Sequence, residues 1–308
     1  MQICTLPAGE SGYSDLVESA AWARPEDRRL LRKLTHHTVV MGHVPPVSQP
    51  EHGQAIRAIA RVIAEACDGI VYDGWSHQVL PHDFRFGVEH PEFCLADDWL
   101  ATFISASDAP DRPEGSDPAR ASHRAGSPNQ TGGLRRADNH KYPDSPDRRS
   151  TSTATGADEP VRDCTSGGLH LVTSGMHRFA FPELEATTVP ISNICAAMTL
   201  LRCLAVTLLA EHWDWLACNP GARSRRLPEH VRVEARDVWR YWAAEPKDAI
   251  AGRVEVRLEC TGESGPDALP YLSVGPPADF GAPIAEWWND VVDLAMPYVS
   301  EAPRRTAA

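Results

Sequence analysis

The histidines are the side chains of this sequence best suited to chemistry. Of 13 in all, His36, His37, His43, His52, His77, His82 and His90 crowd into one stretch, with Asp73, Asp83, Asp97 and Asp98 among or near them. Imidazole and carboxylate together suit zinc or a similar ion. His43, His77, His82 and Asp83 form the metal-ligating candidate, which would make the chain a metal-assisted hydrolase working from its His-rich N-terminal half. The spacing argues the other way. Metal sites usually place two ligands a short fixed step apart, and these steps are irregular. On one regular strand His37 and His43 share a face but stand about 20 Å apart, too far for one ion. Scattered surface and edge histidines account for the same residues, so no metal and no cofactor is expected.

Residues 173–185, TSGMHRFAFPELE, are the second candidate. Gly175 at the end of a strand reads as a bulge or tight turn. The turn would present His177, Arg178 and Phe179, and Arg178 could clamp a carboxylate or phosphate with both arms of its guanidinium. The plainer reading is a hairpin turn with an exposed arginine.

Tryptophan is abundant, at nine. Trp213 and Trp215, Trp239 and Trp242, and Trp287 and Trp288 fall in three helical patterns. Such aromatics are mostly core, although Trp is also enriched at binding hot spots, which makes Trp287 and Trp288 candidate contact residues. Adjacent residues on a helix point about 100° apart, so both can be buried only if that helix is covered over a wide arc. The run ARSRR at 222–226 follows a helix end, where positive charge is favourable; a phosphate contact is its alternative. No P-loop, GxGxxG, GxSxG, HExxH or EF-hand pattern occurs, which excludes those families and no others.

Composition narrows the classes. The 308 residues suffice for one large domain or two small ones, and 42% of them are hydrophobic, enough for a core. With 30 Lys+Arg against 42 Asp+Glu the net charge is -12, so nucleic acid is not an expected partner. The eight cysteines are scattered without paired spacing, as suits a reducing cytoplasm. The N-terminus has no basic segment followed by an apolar run, so no export signal is expected. One apolar stretch, 194–210, carries Arg202 near its middle; a charge there costs about 3 kcal/mol in a bilayer, and a buried core helix is the expectation rather than a membrane span.

The sharpest break in composition runs from Ser107 to Gly167. Its only large apolar or cysteine side chains are Leu134, Tyr142, Val161 and Cys164. Such a segment cannot bury enough apolar surface to offset its chain entropy, so a disordered insertion is expected over 107–167. Its acids and bases nearly cancel, so the acidity belongs to the rest of the chain. The flanking segments both read as short strands, and closure entropy grows only logarithmically with loop length. The insertion therefore leaves and re-enters one α+β domain formed by 1–106 and 168–308; a linker between two domains is the alternative.

Within that domain, Pro25 opens a short helix and residues 37–44 read as a strand. Ser48 to Glu51 has the capping-box pattern. It opens a helix with Ile56, Ile59, Ala60, Ile63 and Cys67 on one face, Gly69 as its stop and Ile70 to Tyr72 as the next strand, a unit that normally joins parallel strands. Leu169–Thr173 and Glu183–Pro190 read as paired strands. Ser192 caps a long central helix ending at Asn219-Pro220-Gly221. A helix is expected from Pro228 with Val231, Ala235, Val238, Trp239 and Trp242 on one face. Arg253–Thr261 alternates as a half-buried strand, with 269–274 returning beside it. A last helix runs from Pro283.

The segment LVTSGMHRFAFPELEA and the helix EHGQAIRAIARVIAEACDGIVYD resemble uncharacterised bacterial proteins of the domain-of-unknown-function type, over segments 48–73 and 169–191. The resemblance implies a compact α+β fold and transfers no catalytic residue. The fold class expected is α+β: a mixed, largely antiparallel sheet packed against the long central helix and the Trp-bearing helices. The function expected is that of a cytoplasmic, acidic, non-catalytic domain that binds another protein, one concrete version being a neutraliser of a basic partner captured by electrostatic steering. The metal-assisted hydrolase is the alternative, and the oligomeric state is left open.

Overall fold

The structure is a computed structural model that describes residues 1–11, 13, 25–80, 92–106, 168–222, 224–245, 252–261 and 270–296. The Ser107–Gly167 segment, His82 and Asp83 lie outside the described residues.

The chain opens with strand β1 (Gln2–Pro7), a helical turn Ala8–Ser11 and, after a helix at Pro25–Leu31, strand β2 (His36–Met41), which pairs antiparallel with β1. The helix Glu51–Ala66 follows. Strands β3 (Val71–Asp73) and β4 (Gln78–Leu80) then form a small hairpin. The main sheet is built from β5 (Ala101–Ala106), β6 (Leu169–Ser174), β7 (Glu183–Val189), β8 (His230–Glu234), β9 (Arg253–Thr261) and β10 (Tyr271–Gly275). Its order is β5-β6-β7-β10-β9-β8. Only β7 and β10 run parallel. The fold is α+β with a mixed, largely antiparallel sheet. β5 and β6 are adjacent, with Ala106 opposite Leu169, so the chain leaves and re-enters the sheet at neighbouring positions.

Period-two patterning sets the two faces of this sheet. Val254, Val256 and Leu258 of β9 point inward beside Val231 and Val233 of β8, while Arg253 and Glu255 face solvent. The inner face meets the helix Ile194–Cys218, on which Ala197, Leu200, Leu201, Leu204, Ala205 and Leu208 are wholly buried. Each buried leucine contributes about 1.5–3 kcal/mol, so this helix is the main apolar contributor to the core. It is also the one described helix long and apolar enough to cross a membrane, and the protein keeps most of it inside. Arg202 is accommodated by the rings of Tyr241 and Trp242, 5.5 and 5.3 Å from its guanidinium carbon.

Several local expectations are corrected. The capping box at Ser48 does not form. Ser48 ends a 3-10 turn, Pro46–Ser48, and Pro50 takes the N-cap position, so the serine hydroxyl is too far back along the chain to reach the first turn. Gln49 replaces it, its Oε1 accepting from Gly53 N at 3.2 Å. The left-handed residue that ends this helix is Asp68 (φ 50), not Gly69; the Gly69 N–H then reaches Ala64 O at 2.7 Å, a Schellman closure that aspartate tolerates. The crossover between parallel strands is absent: β2 is paired along its whole length by β1, and the three residues of β3 turn back on themselves as β4. Ser192 lies in a 3-10 turn, Ile191–Asn193, and donates to Asn193 Oδ1 at 2.7 Å rather than capping the central helix. The expected helix at Pro228 is strand β8 followed by a short helix Asp237–Tyr241; alternation of Val231 and Val233 against β9 outweighs the helical spacing.

Candidate functional site

Gly175 starts the site. It follows β6 with φ 129, and a Cβ there would lie 2.1 Å from Trp99 O, so only glycine fits. The chain then turns through the 3-10 segment Met176–Phe179. Glu183, on the next strand and buried, holds this turn from inside. Its Oε1 accepts from Gly175 N at 2.8 Å and His177 N at 3.1 Å, and its Oε2 accepts from Thr173 Oγ1 at 2.8 Å. Buried carboxylates persist only when satisfied in this way.

Arg178 leaves the turn toward the β3–β4 hairpin. Nη1 and Nη2 donate to Asp73 Oδ2 and Oδ1 at 2.9 and 2.8 Å, while Nε donates to Gly175 O at 3.2 Å. Both side chains are almost wholly buried, at 6% and 5% exposure. Burial pushes the Asp73 carboxyl up, but the charge and hydrogen bonds of Arg178, the charge of Arg57 and the Trp75 N–H together hold it below the usual carboxylate range. The two arginines share an aromatic neighbour: the guanidinium carbons of Arg57 and Arg178 lie 4.0 and 4.9 Å from the Trp99 ring centre. Arg57 also donates to Asp97 O at 3.0 Å.

The carboxylate that Arg178 clamps is thus the protein's own. His177 is half-buried, its Nε2 3.2 Å from Pro270 O and its Nδ1 3.4 Å from Glu183 Oε1. Phe179 is fully buried against Phe93, Trp99 and Trp213. Trp287 and Trp288 are likewise inside, ring centres 4.7 Å apart, on a helix that runs from Ile284–Trp287 through a π turn at Trp288–Val292 to Asp293–Ala295. These three aromatics pack the core and present no surface to a partner.

The metal candidates are not brought together. β2 ends at Met41, so His43 lies beyond the strand, exposed. His77 is half-buried, its Nδ1 hydrogen-bonded to Tyr72 OH at 2.8 Å. Burial and then the Asp73 charge push the Tyr72 phenol up. His82 and Asp83 are outside the described residues. Among the described residues no group of three His, Cys, Asp or Glu side chains could hold a metal ion.

A second polar group stands on the outer face of the sheet. His170 Nε2 is 3.3 Å from Glu185 Oε2, and Thr261 Oγ1 donates to Glu185 Oε1. The His170 hydrogen bond is the main force holding the Glu185 carboxyl down. Strand alternation places these side chains on one face, but their approach depends on a register across strands far apart in the sequence. The same applies to Asp73 and Glu183, which the sequence did not single out as partners of the turn.

Compared with known proteins, the chain matches no family model, no curated protein and no solved structure.

Proposed function

We propose that this chain is a non-catalytic binding domain that receives a basic protein partner on the acidic outer face of its C-terminal helix. The observation that carries this is the segment 276–296. It contains no lysine or arginine, and Asp279, Glu286, Asp290 and Asp293 are all exposed. Beside them Leu294 is 81% exposed. Ile191, 69% exposed, stands on the 3-10 turn whose Asn193 donates to Trp288 O. Glu286 stands in the first turn, where a carboxylate suits the helix dipole, but local stability gives no reason for Asp293 near the helix end. An acid in the last turn of a helix opposes its dipole by about 0.3–1 kcal/mol. An acidic face bordered by apolar side chains suits a basic partner, which it would steer in by charge and hold by apolar contact.

Two further features support the reading. The ionisable side chains gathered at the Gly175 turn are consumed by one another, Asp73 by Arg178 and Glu183 by backbone N–H groups, which favours a binding domain over an enzyme. The described cysteines are free, with Cys94 and Cys203 buried, which supports a reducing compartment as its setting.

The test is titration with a fluorescein-labelled peptide of alternating arginine and leucine. Binding to the unaltered chain should weaken as salt is raised. It should weaken at least tenfold in E286Q/D290N/D293N and much less in E229Q/E255Q/E259Q, which removes the same charge elsewhere. Equal loss in both variants would reduce the effect to net charge and overturn the reading.

A further inference from the structure

We infer that β1 is a docking edge for a second copy of this chain, pairing antiparallel with the β1 of that copy across a two-fold axis at Cys4. β1 and β2 form a sheet of only two strands. Two strands alone are marginal in water, and a third is normally needed for stability. β2 is half-buried along most of its length and packs on the helix Glu51–Ala66. β1 is exposed at Gln2, Ile3, Cys4, Thr5 and Pro7, on both faces of the ribbon. Ile3, an apolar side chain, is 51% exposed.

The backbone bonds show which groups face outward. Ala8 N donates to Thr35 O at 2.9 Å, one step beyond the pair of Pro7 with His36. Antiparallel pairs alternate, so Leu6, Cys4 and Gln2 also bond toward β2, and the N–H and C=O groups of Ile3 and Thr5 point to the open edge. Among the described residues no strand takes them up. Proteins commonly guard such an edge with charge. β8, at the edge of the main sheet, is guarded: Arg232 is exposed on it, and Asp237 Oδ2 accepts from Glu234 N at 3.1 Å. β1 carries no charged side chain.

The strand fits a copy of itself. Hydrogen bonds form only in registers that set outward residues opposite outward residues, and two of these overlap most of the strand. One sets Ile3 opposite Pro7, which has no N–H to return. The other sets Ile3 opposite Thr5, so that both give and accept in full, and moves Pro7 beyond Gln2 to face Met1. This second register puts Cys4 opposite its counterpart in the non-hydrogen-bonded position, with Cα atoms about 4.5 Å apart. The product is a four-stranded sheet, β2-β1-β1-β2. Charge does not oppose it. Residues 1–44 carry five acidic and five basic side chains, so the acidity of the chain lies elsewhere.

The experiment uses the full chain. In reductant it should sediment as a dimer whose fraction rises with concentration over roughly a hundredfold range. Ile3→Pro removes an outward N–H and leaves the bonds to β2 in place. It should weaken association about tenfold or more, because each dimer loses that bond twice. The variant C67S/C164S/C218S/C260S retains Cys4 and three cysteines that are buried or half-buried. Copper phenanthroline in air, which takes two electrons and two protons from facing thiols, should join it into a disulfide dimer, since the expected Cα separation is one a disulfide spans. Adding Cys4→Ser should abolish that product. The cross-link decides the register even if Ile3→Pro fails to fold. A chain that sediments as a monomer throughout would overturn the inference. So would a dimer unmoved by Ile3→Pro, or one in which Cys4 forms no cross-link.

Discussion

The Arg178 guanidinium grips both carboxylate oxygens of Asp73, at 2.9 and 2.8 Å, across a sequence separation of 105 residues. This contact ties the β3–β4 hairpin to the turn at the end of β6. Neither residue has water to fall back on, so each depends on the other for its charge.

Removing one partner leaves the other charged and buried. Asp73→Asn or Arg178→Met should lower stability by about 3–5 kcal/mol, read as a shift of the urea midpoint at unchanged slope. The double variant Asp73→Leu/Arg178→Met should recover much of that loss. Additive losses would mean that the two ions do not compensate each other.

Asp73 also sets an acid limit. Its folded pKa is depressed, so the unfolded chain takes up the proton first as pH falls. The contribution is whole above the unfolded value of about 3.9 and is lost as pH falls through the lower folded value. Acid unfolding curves of the unaltered chain and of the double variant should therefore diverge only at about pH 4 and below.

His212 acts in a milder range. It is buried on the central helix, and burial followed by the charge of Arg225 holds its pKa down against a smaller opposing contact with the Phe179 backbone. The unfolded chain takes up the proton first, from about pH 6.5 downward, so stability falls as pH drops through that region. The thermal midpoint of His212→Leu should change less between pH 7 and pH 5 than that of the unaltered chain. Parallel curves would remove His212 from the account.

Gly175→Ala tests the turn itself. The added Cβ meets Trp99 O, and the φ of 129 is closed to L side chains. A loss of about 2 kcal/mol or more is expected, by urea unfolding, because backbone rather than a flexible side chain must move. A neutral result would mean that the 3-10 turn can be rebuilt without this geometry.

Two leucines separate core from surface. Leu204→Ala, a wholly buried side chain of the central helix, should cost about 2–5 kcal/mol. Leu294→Ala, at 81% exposure, should stay within about 0.5 kcal/mol while still weakening the arginine–leucine peptide. A large stability loss at Leu294 would show that this side chain packs rather than waits for a partner.

Elements with a strong period of their own were legible without coordinates. The alternation of Arg253–Thr261, the apolar run of the central helix and its end at Asn219-Pro220-Gly221 all appear where expected. So does the pairing of the strands on either side of Gly175. In these segments local patterning and tertiary burial demand the same conformation. Where two periods compete within a few residues, as at Val231, Val233 and Ala235, the neighbouring strand made the choice.

The site was legible only by half. Sequence spacing marks Gly175 and Arg178 as a turn that offers a guanidinium, because glycine and arginine carry those properties wherever they stand. That the guanidinium is satisfied internally by Asp73, that Glu183 holds the turn, and that Phe179, Trp287 and Trp288 are core while Trp75 is exposed could be decided only in three dimensions. Charge pairing and burial depend on distances between residues that the chain brings together from far apart, and no local pattern encodes those distances.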